Sequence, residues 1–293
     1  MSGTLTVART GFPVLVQDRG RPGLAAIGVG GSGAADRGAL ALGNRLLANP
    51  TTSAGLEITL GGLEVTIVAA QTLALTGAVA AASLDGQPVP FAAPFTARDG
   101  QRLVLGLPPH GLRTYLSVRG GIDVDPVLGS RSTDVLSGVG PKPLTNGSRV
   151  PVGDPGCIAF PHVDVAPVSA PAEVLSLAVD LGPRHEWFDD PLSLARRLWT
   201  VSSRSNRVGI RLEGEPLTRS LAYAGRELPS EGVVLGAVQV PSSGLPMVFL
   251  ADHPVTGGYP VIAVVRDDHL DRAAQARPGQ SVRFHIHKSR NGR

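Results

Sequence analysis

The sequence contains one cysteine, Cys157, in 293 residues. A single thiol can form neither an intramolecular disulfide nor a thiolate metal cage, which points to a reducing compartment. Aromatic residues are scarce, with three Tyr, two Trp and seven Phe. Little is therefore available for stacking on nucleic acid, although a formal charge of +3 and a pI near 9.5 lean basic. The charges are dispersed, and the basic tail from His285 to Arg293 reads as a frayed terminus rather than a binding arm. No apolar run reaches eighteen residues, and Met1-Ser2-Gly3-Thr4-Leu5 has no basic segment leading into an apolar stretch. The expectation is a cytoplasmic protein with no membrane and no nucleic-acid partner.

Several chemical signatures are missing as well. No G-x-G-x-x-G follows a strand, and the glycines between Gly28 and Gly33 are followed by no acidic ribose partner at the spacing a dinucleotide fingerprint needs. The chain has no G-x-x-x-x-G-K-[ST], no H-E-x-x-H and no G-x-S-x-G nucleophile elbow. Of seven histidines only His285 and His287 are close in sequence, and on a terminal strand they read as surface residues. No metal site is expected.

What is abundant is glycine (37) and proline (25), against 17% charged residues. Many short strands joined by tight turns produce that mixture. Strand segments are expected at 5–8, 56–59, 63–69, 72–76, 102–105, 113–118, 174–179, 233–240, 247–251, 261–265 and 281–286. Helical periodicity is clear over 34–47, where Asn49-Pro50 supplies a stop, and shorter helices are expected over 191–199 and 267–275.

Comparing the chain with itself yields four ordered matches. The segment from Asp36 to Leu42 matches that from Asn206 to Leu212, and Glu57 matches Glu231. Leu73-Ala74-Leu75 then matches Val248-Phe249-Leu250, and Ala97-Arg98-Asp99-Gly100-Gln101 matches Ala276-Arg277-Pro278-Gly279-Gln280. A repeat of this length fits a duplicated small barrel. The expected organisation is a first half over 1–170, carrying an inserted segment at 106–170, and a second half over 171–293. The duplicated charges Arg37/Arg207 and Glu57/Glu231 read as a buried or half-buried ion pair within each half.

Three polar clusters could carry chemistry. Gln17-Asp18-Arg19-Gly20-Arg21-Pro22-Gly23 is either a loop stapled by its own ion pair or an oxyanion clamp, because arginine presents a planar fork to two oxygens. Leu128-Gly129-Ser130-Arg131-Ser132-Thr133 is either a hydroxyl-rich turn or a phosphate or carboxylate cradle. In the second half, Glu231, Gln239, Asp252-His253 and Tyr259 lie at strand ends and could line one pocket, with Tyr259 equally readable as a packed turn ring.

Those motifs, together with Ser32-Gly33-Ala34-Ala35-Asp36-Arg37, Leu56-Glu57-Ile58-Thr59-Leu60-Gly61-Gly62, Gly120-Gly121-Ile122-Asp123, the run from Ser205 to Leu212 and the run from Ala251 to Pro260, resemble the allophanate hydrolase subunit 2 family. This family is also known as the C subunit of 5-oxoprolinase, the antagonist of the sporulation kinase inhibitor, or the biotin-dependent carboxyltransferase-like family. The resemblance covers nearly the whole chain, with Asn206 standing where the family commonly has Asp. It implies a mainly β fold of two tandem cyclophilin-like β-barrel halves with a few short helices.

The resemblance further implies a subunit 1 partner, a third lactam-hydrolase subunit and a small-molecule amide substrate. The leading expectation is an ATP-dependent 5-oxoprolinase subunit using ATP with Mg2+. Catalytic roles fall on Asp18, Glu57, Arg131 and Asp252, and substrate or nucleotide binding on Gln17, Arg19, Arg21, Ser130, Ser132, Thr133, Gln239 and Tyr259. The alternatives are carboxyl transfer from biotin to a urea or amide nitrogen, and a non-enzymatic antagonist of a kinase inhibitor.

Overall fold

A computed structural model describes residues 3–156, 159, 165–168 and 172–287. Cys157, the expected boundary at 170/171 and the tail beyond 287 lie outside the described residues. The chain forms two compact units, Met1–Gly23 with Gly31–Pro171, and Leu24–Gly30 with Ala172–Arg293. The fold is mainly β, with three short α-helices among the described residues. No helix among them is long and apolar enough to cross a membrane.

In the first unit the order is β1 (Thr4–Thr10), β2 (Val14–Gln17), α1 (Arg37–Leu46), β3 (Gly55–Thr59), β4 (Leu63–Val68), β5 (Gln71–Gly77), β6 (Ala82–Leu84), β7 (Gln87–Pro88), β8 (Pro94–Ala97), β9 (Arg102–Leu105), β10 (Arg113–Val118) and β11 (Arg149–Pro151). A six-stranded sheet runs β11-β1-β4-β9-β6-β7 and a five-stranded sheet runs β2-β3-β10-β5-β8. Along β4, Leu63, Val65 and Ile67 are buried and Glu64 and Thr66 half-buried, the two-residue period of a strand with one face in a core. Those residues share a core with Leu56, Ile58, Leu75 and Leu116 of the other sheet. Each such aliphatic side chain contributes about 1.5–3 kcal/mol by leaving water.

Strand β10 is buried at all six positions. One of its faces meets that core, and α1 packs across the other, on β10 and β5. Gly43 sets how close the helix comes. A Cβ there would lie 2.4 Å from Ser117 Oγ on β10 and 3.2 Å from Thr76 Oγ1 on β5, so a larger residue would lift α1 off the sheet. Asp36 caps the helix, accepting from the Ala39 N–H at 2.8 Å. The helix starts later than the periodicity over 34–47 predicts because Asp36, at φ −101° and ψ 92°, is extended and ends it as the N-cap; the N–H groups of Ala34 and Ala35 ahead of it go to Asp18 O and Glu57 Oε2.

The second unit contains β12 (Val174–Leu181), α2 (Ser193–Arg196), β13 (Trp199–Val201), β14 (Gly209–Glu213), β15 (Glu231–Gly232), β16 (Ala237–Gln239), β17 (Met247–Phe249), β18 (Thr256–Gly257), β19 (Val261–Val265), α3 (Asp267–Ala274) and β20 (Ser281–Ile286). Seven of these strands close a barrel in the order β12-β19-β16-β17-β14-β13-β20, and β15 pairs with β18 alone. Closure leaves no unpaired edge. Leu177, Val179, Trp199, Ile262 and Phe284 fill the interior.

Two sequence expectations are corrected here. The strand expected over 233–240 shrinks to β16, because Gly236 at φ +82° closes a turn in which the Ala237 N–H bonds Val234 O, and β15 lies ahead of the expected segment. The helix expected over 191–199 shrinks to α2 because Trp199 starts β13 and donates its indole N–H to Leu194 O at 2.9 Å.

The internal matches fare unequally. Arg98–Gln101 and Arg277–Gln280 form the same turn. In each, the glutamine Oε1 accepts from the arginine N–H, at 2.8 and 3.2 Å, and the glutamine N–H bonds back to the arginine carbonyl. The match of 36–42 with 206–212 instead sets the capped start of α1 against the entry to β14, so it is not a structural equivalence.

Candidate functional site

Strand β2 ends at Gln17, and the following loop carries the polar cluster read from the sequence. Gly20 (φ +86°) and Gly33 (φ +96°) let two backbone segments cross in contact. A Cβ on Gly20 would lie 2.4 Å from Gly31 O, and one on Gly33 would lie 2.8 Å from the Arg19 carbonyl carbon. The crossing holds Asp18 beneath the turn at Ser130–Thr133.

Asp18 is the hub. Its Oδ1 accepts from Gly20 N–H at 2.7 Å, Ser130 Oγ–H at 2.6 Å and Ser132 Oγ–H at 2.5 Å, and its Oδ2 accepts from Arg131 N–H at 2.6 Å. The Asp18 N–H donates back to Ser132 Oγ at 3.0 Å. Gln17 is fully buried and donates through Nε2 to Thr133 O at 2.8 Å, while its Oε1 has no hydrogen-bond partner. Arg21 is also buried. Its guanidinium reaches Ser132 O at 2.5 Å and Val127 O at 3.4 Å, leaving Nη1 without a hydrogen bond.

Gln17, Asp18, Arg21, Ser130, Ser132 and Thr133, read from the sequence as two separate clusters, thus form one network. Arg131 joins it by its backbone alone. Its guanidinium turns to Asp123 Oδ1 at 2.8 Å and Val124 O at 2.7 Å. Of the two readings of the Gln17–Gly23 loop, a staple by an internal Asp–Arg pair is not formed. Asp18 is held by hydroxyls and backbone amides, and Arg21 by carbonyls.

Glu57 lies beside this network rather than in it. Fully buried on β3, its Oε2 accepts from Tyr115 Oη at 2.8 Å and Ala35 N–H at 2.9 Å, and its Oε1 lies 3.3 Å from Arg113 Nε. The Tyr115 oxygen also accepts from Asp36 N–H at 2.8 Å. Burial, followed by the nearby Glu57 and Asp36 charges, raises the Tyr115 phenol well above its ordinary pKa. Tyr115 and Arg113 were missed in the sequence because a Tyr flanked by Thr114 and Leu116 reads as ordinary core strand.

In the second unit Asp252 is buried in a two-pronged pair with Arg207, Nε to Oδ2 at 2.8 Å and Nη2 to Oδ1 at 2.9 Å. Of the ion pairs expected between repeat-equivalent charges, that of Arg207 with Glu231 is replaced, Arg207 pairing with Asp252 and Glu231 with Arg184 at 2.8 Å, while Glu57 lies against Arg113. Gln239 is buried and donates to Tyr259 O at 2.9 Å, whereas the Tyr259 ring is half exposed. Among the described residues no group of three or more His, Cys, Asp or Glu is arranged to hold a metal ion.

A cleft of about 320 Å³ opens in the first unit between the Asp18–Arg19 loop and the outer face of α1. Arg19 lines it with Arg37 and Arg45, and Gly38, Ala41 and Thr51 are among the remaining lining residues. Arg45 carried no signal in the sequence beyond lying on the polar side of an amphipathic helix.

The carboxyltransferase domain model, subdomains A and B, matches residues 27–286. The chain belongs to the carboxyltransferase domain family. It is similar to the C subunit of 5-oxoprolinase from Escherichia coli (strain K12), 39% identical over 285 residues that cover 96% of this chain and 90% of the relative. It is also similar to urea amidolyase of Saccharomyces cerevisiae, 32% identical over 96% of this chain and 16% of that protein. Among solved structures, Kluyveromyces lactis urea carboxylase superposes with a TM-score of 0.88 at 28% identity, covering 97% of this chain and 27% of the solved one. The chain therefore spans most of the bacterial relative and well under a third of these fungal proteins. Family members accordingly occur both as a subunit of the bacterial enzyme and inside longer fungal enzymes.

Proposed function

We propose that this carboxyltransferase-family chain is one subunit of an ATP-dependent 5-oxoprolinase complex, acting with a subunit 1 partner and a third subunit to open 5-oxoproline to glutamate. The observation that carries this reading is the likeness to the C subunit of the bacterial 5-oxoprolinase along 96% of the chain. That span includes the Asp18 hub and the turn at Ser130–Thr133.

A lactam carbonyl is a weak electrophile. Phosphoryl transfer from ATP to its oxygen activates the carbon. One water adds there and the ring nitrogen departs as the amine, and a second water hydrolyses the resulting acyl phosphate to give glutamate and phosphate, with ADP released from the first step. Asp18 already accepts four hydrogen bonds and does not fit a Mg2+ ligand, so no step is routed through the metal in this chain. In this reading Asp18 fixes the Ser130–Thr133 turn and Arg19 faces the anionic part of a ligand. The test is turnover by the complete assembly. ADP release that depends on 5-oxoproline, and is lost when this chain is omitted, is the expected result, and no turnover with all subunits present rejects the proposal.

A second reading is favoured by the family itself and by the urea amidolyase likeness: carboxyl transfer to a urea or amide nitrogen from biotin on a separate carrier. Incubating the complex with urea and a carboxylated biotin carrier distinguishes the two. Carboxylation of urea, without lactam-dependent ADP release, would select it.

A further inference from the structure

The cleft beside α1 has a composition that the hydrogen-bonded hub does not explain. Arg37, Ala41 and Arg45 recur every four residues and so share one face of the helix, with Gly38 beside them. The opposite face, with Ala39, Leu40, Gly43, Asn44 and Leu46, is buried against the sheet. Arg37 and Arg45 are separated by eight residues, about 12 Å of helix axis. Between them the helix lines the cleft with Gly38, Leu40 and Ala41 and no charged side chain. Helical side chains lean toward the N-terminus, so Arg45 inclines over Ala41 rather than away from the cleft.

Arg19 completes the ring from the facing loop. Three arginines and one carboxylate, Asp18, line the cleft, which leaves a charge of 3 − 1 = +2. The Asp18 carboxylate is turned into its own four hydrogen bonds. Among the described residues Arg19 and Arg45 have no carboxylate partner, and both are exposed. Arg45, in the last turn, lies where the helix dipole favours a cation; Arg37, at the first helical residue, lies where the dipole opposes one.

The walls are fixed before any ligand arrives. Gly43 seats α1 against Ser117 and Thr76, Asn44 ties the helix to Ser53 O at 2.8 Å, and the Gly20–Gly33 crossing pins the backbone of Arg19. Only the arginine side chains then need ordering on binding, the backbone walls being already in place.

We infer that this cleft is an oxyanion-binding site that takes the carboxylate or phosphate of a small molecule through Arg19 and Arg45, with Arg37 at its third side. Guanidinium forks match both groups by paired hydrogen bonds. A cleft of about 320 Å³ lies at the small end of ligand sites, which suits a compact metabolite. The inference deepens the lactam reading and rests on it only for which oxyanion is the natural one.

The experiment titrates the full-length chain with sodium phosphate and, separately, with 5-oxoproline, at constant ionic strength against chloride, by calorimetry. Saturable binding of at least one is expected. Arg19→Ala and Arg45→Ala should each weaken it about tenfold, the loss of one charge-assisted interaction. Ala41→Glu is the decisive variant. It sets a carboxylate one turn before Arg45, an orientation that supports the helix, while filling the cleft with its own oxyanion. Its melting temperature should be kept or raised, and its phosphate and 5-oxoproline binding abolished.

Tighter binding of 5-oxoproline than phosphate identifies the substrate carboxylate, and the reverse order identifies a phosphoryl group. Saturable binding with no turnover by the full complex would sustain the site and reject the lactam reading. Absence of saturable binding in the wild type, or binding undiminished in Ala41→Glu, overturns the inference.

Discussion

Replacing Asp18 with alanine tests whether the loop at Ser130–Thr133 depends on one carboxylate. The change removes the acceptor for four donors. Ser130 and Ser132 hydroxyls can rotate toward other acceptors, but the Gly20 and Arg131 N–H groups are fixed by the backbone. A buried donor left unpaired costs about 1–3 kcal/mol, and both amides are only partly buried, so the expected loss is about 3 kcal/mol. Set against a typical stability of about 5–15 kcal/mol, that is a large fraction. Asp18→Asn keeps one acceptor oxygen and should cost about half as much. Arg131→Ala retains the N–H that Asp18 uses and gives up only a half-exposed pair with Asp123, so it should cost less than about 1 kcal/mol. Urea denaturation of the full chain measures the three differences, and hydrogen exchange at the Arg131 amide reports the loop directly. A loss below about 1 kcal/mol in Asp18→Ala, with the Arg131 amide as protected as in the wild type, would refute the hub.

The Tyr115 phenol should stay protonated while ordinary tyrosines ionise, so alkaline titration of phenolate absorbance should show one of the three tyrosines titrating late. Because the folded pKa lies above the unfolded one, this stabilisation is complete below the ordinary tyrosine pKa and is lost as pH rises from there through the folded value. Tyr115→Phe should cost about 1–3 kcal/mol and remove that pH dependence, read from the melting temperature across alkaline pH. Gly20→Ala should destabilise by more than about 2 kcal/mol through positive φ and overlap with Gly31 O. Gly23→Ala, at a similar φ but with nothing within 4 Å of its Cβ, should cost only about 1–2 kcal/mol, and denaturant midpoints of the pair separate overlap from conformation. Arg207→Ala should cost about 3–5 kcal/mol in thermal or urea unfolding because it leaves Asp252 charged and buried.

The β-rich fold was legible residue by residue. Alternation in Leu63–Val68, punctuation by Gly and Pro, and the 3.6-residue pattern ending at Asn49-Pro50 are local properties, and local sterics decide them. The turn shared by Arg98–Gln101 and Arg277–Gln280 was legible for the same reason, since its hydrogen bonds close within four residues. The family was legible too, because its motifs are strings of neighbours.

Pairing was decided elsewhere. Glu57 reaches Arg113 and Tyr115 only because β3 and β10 lie side by side in register, with Glu57 opposite Tyr115. The sequence offered Arg37 as the partner because it was repeated in the same way. Arg21 and Arg131 looked interchangeable with Arg19, each a cation in a glycine-rich turn. In the fold Arg21 is buried against the carbonyls of Ser132 and Val127, Arg131 turns to Asp123, and Arg19 faces the cleft with Arg45. Residue type and spacing determine which elements form and which groups can bind an oxyanion. Which of those groups share a cavity depends on sheet register and on glycines that let backbones touch, and both depend on residues far apart in the chain.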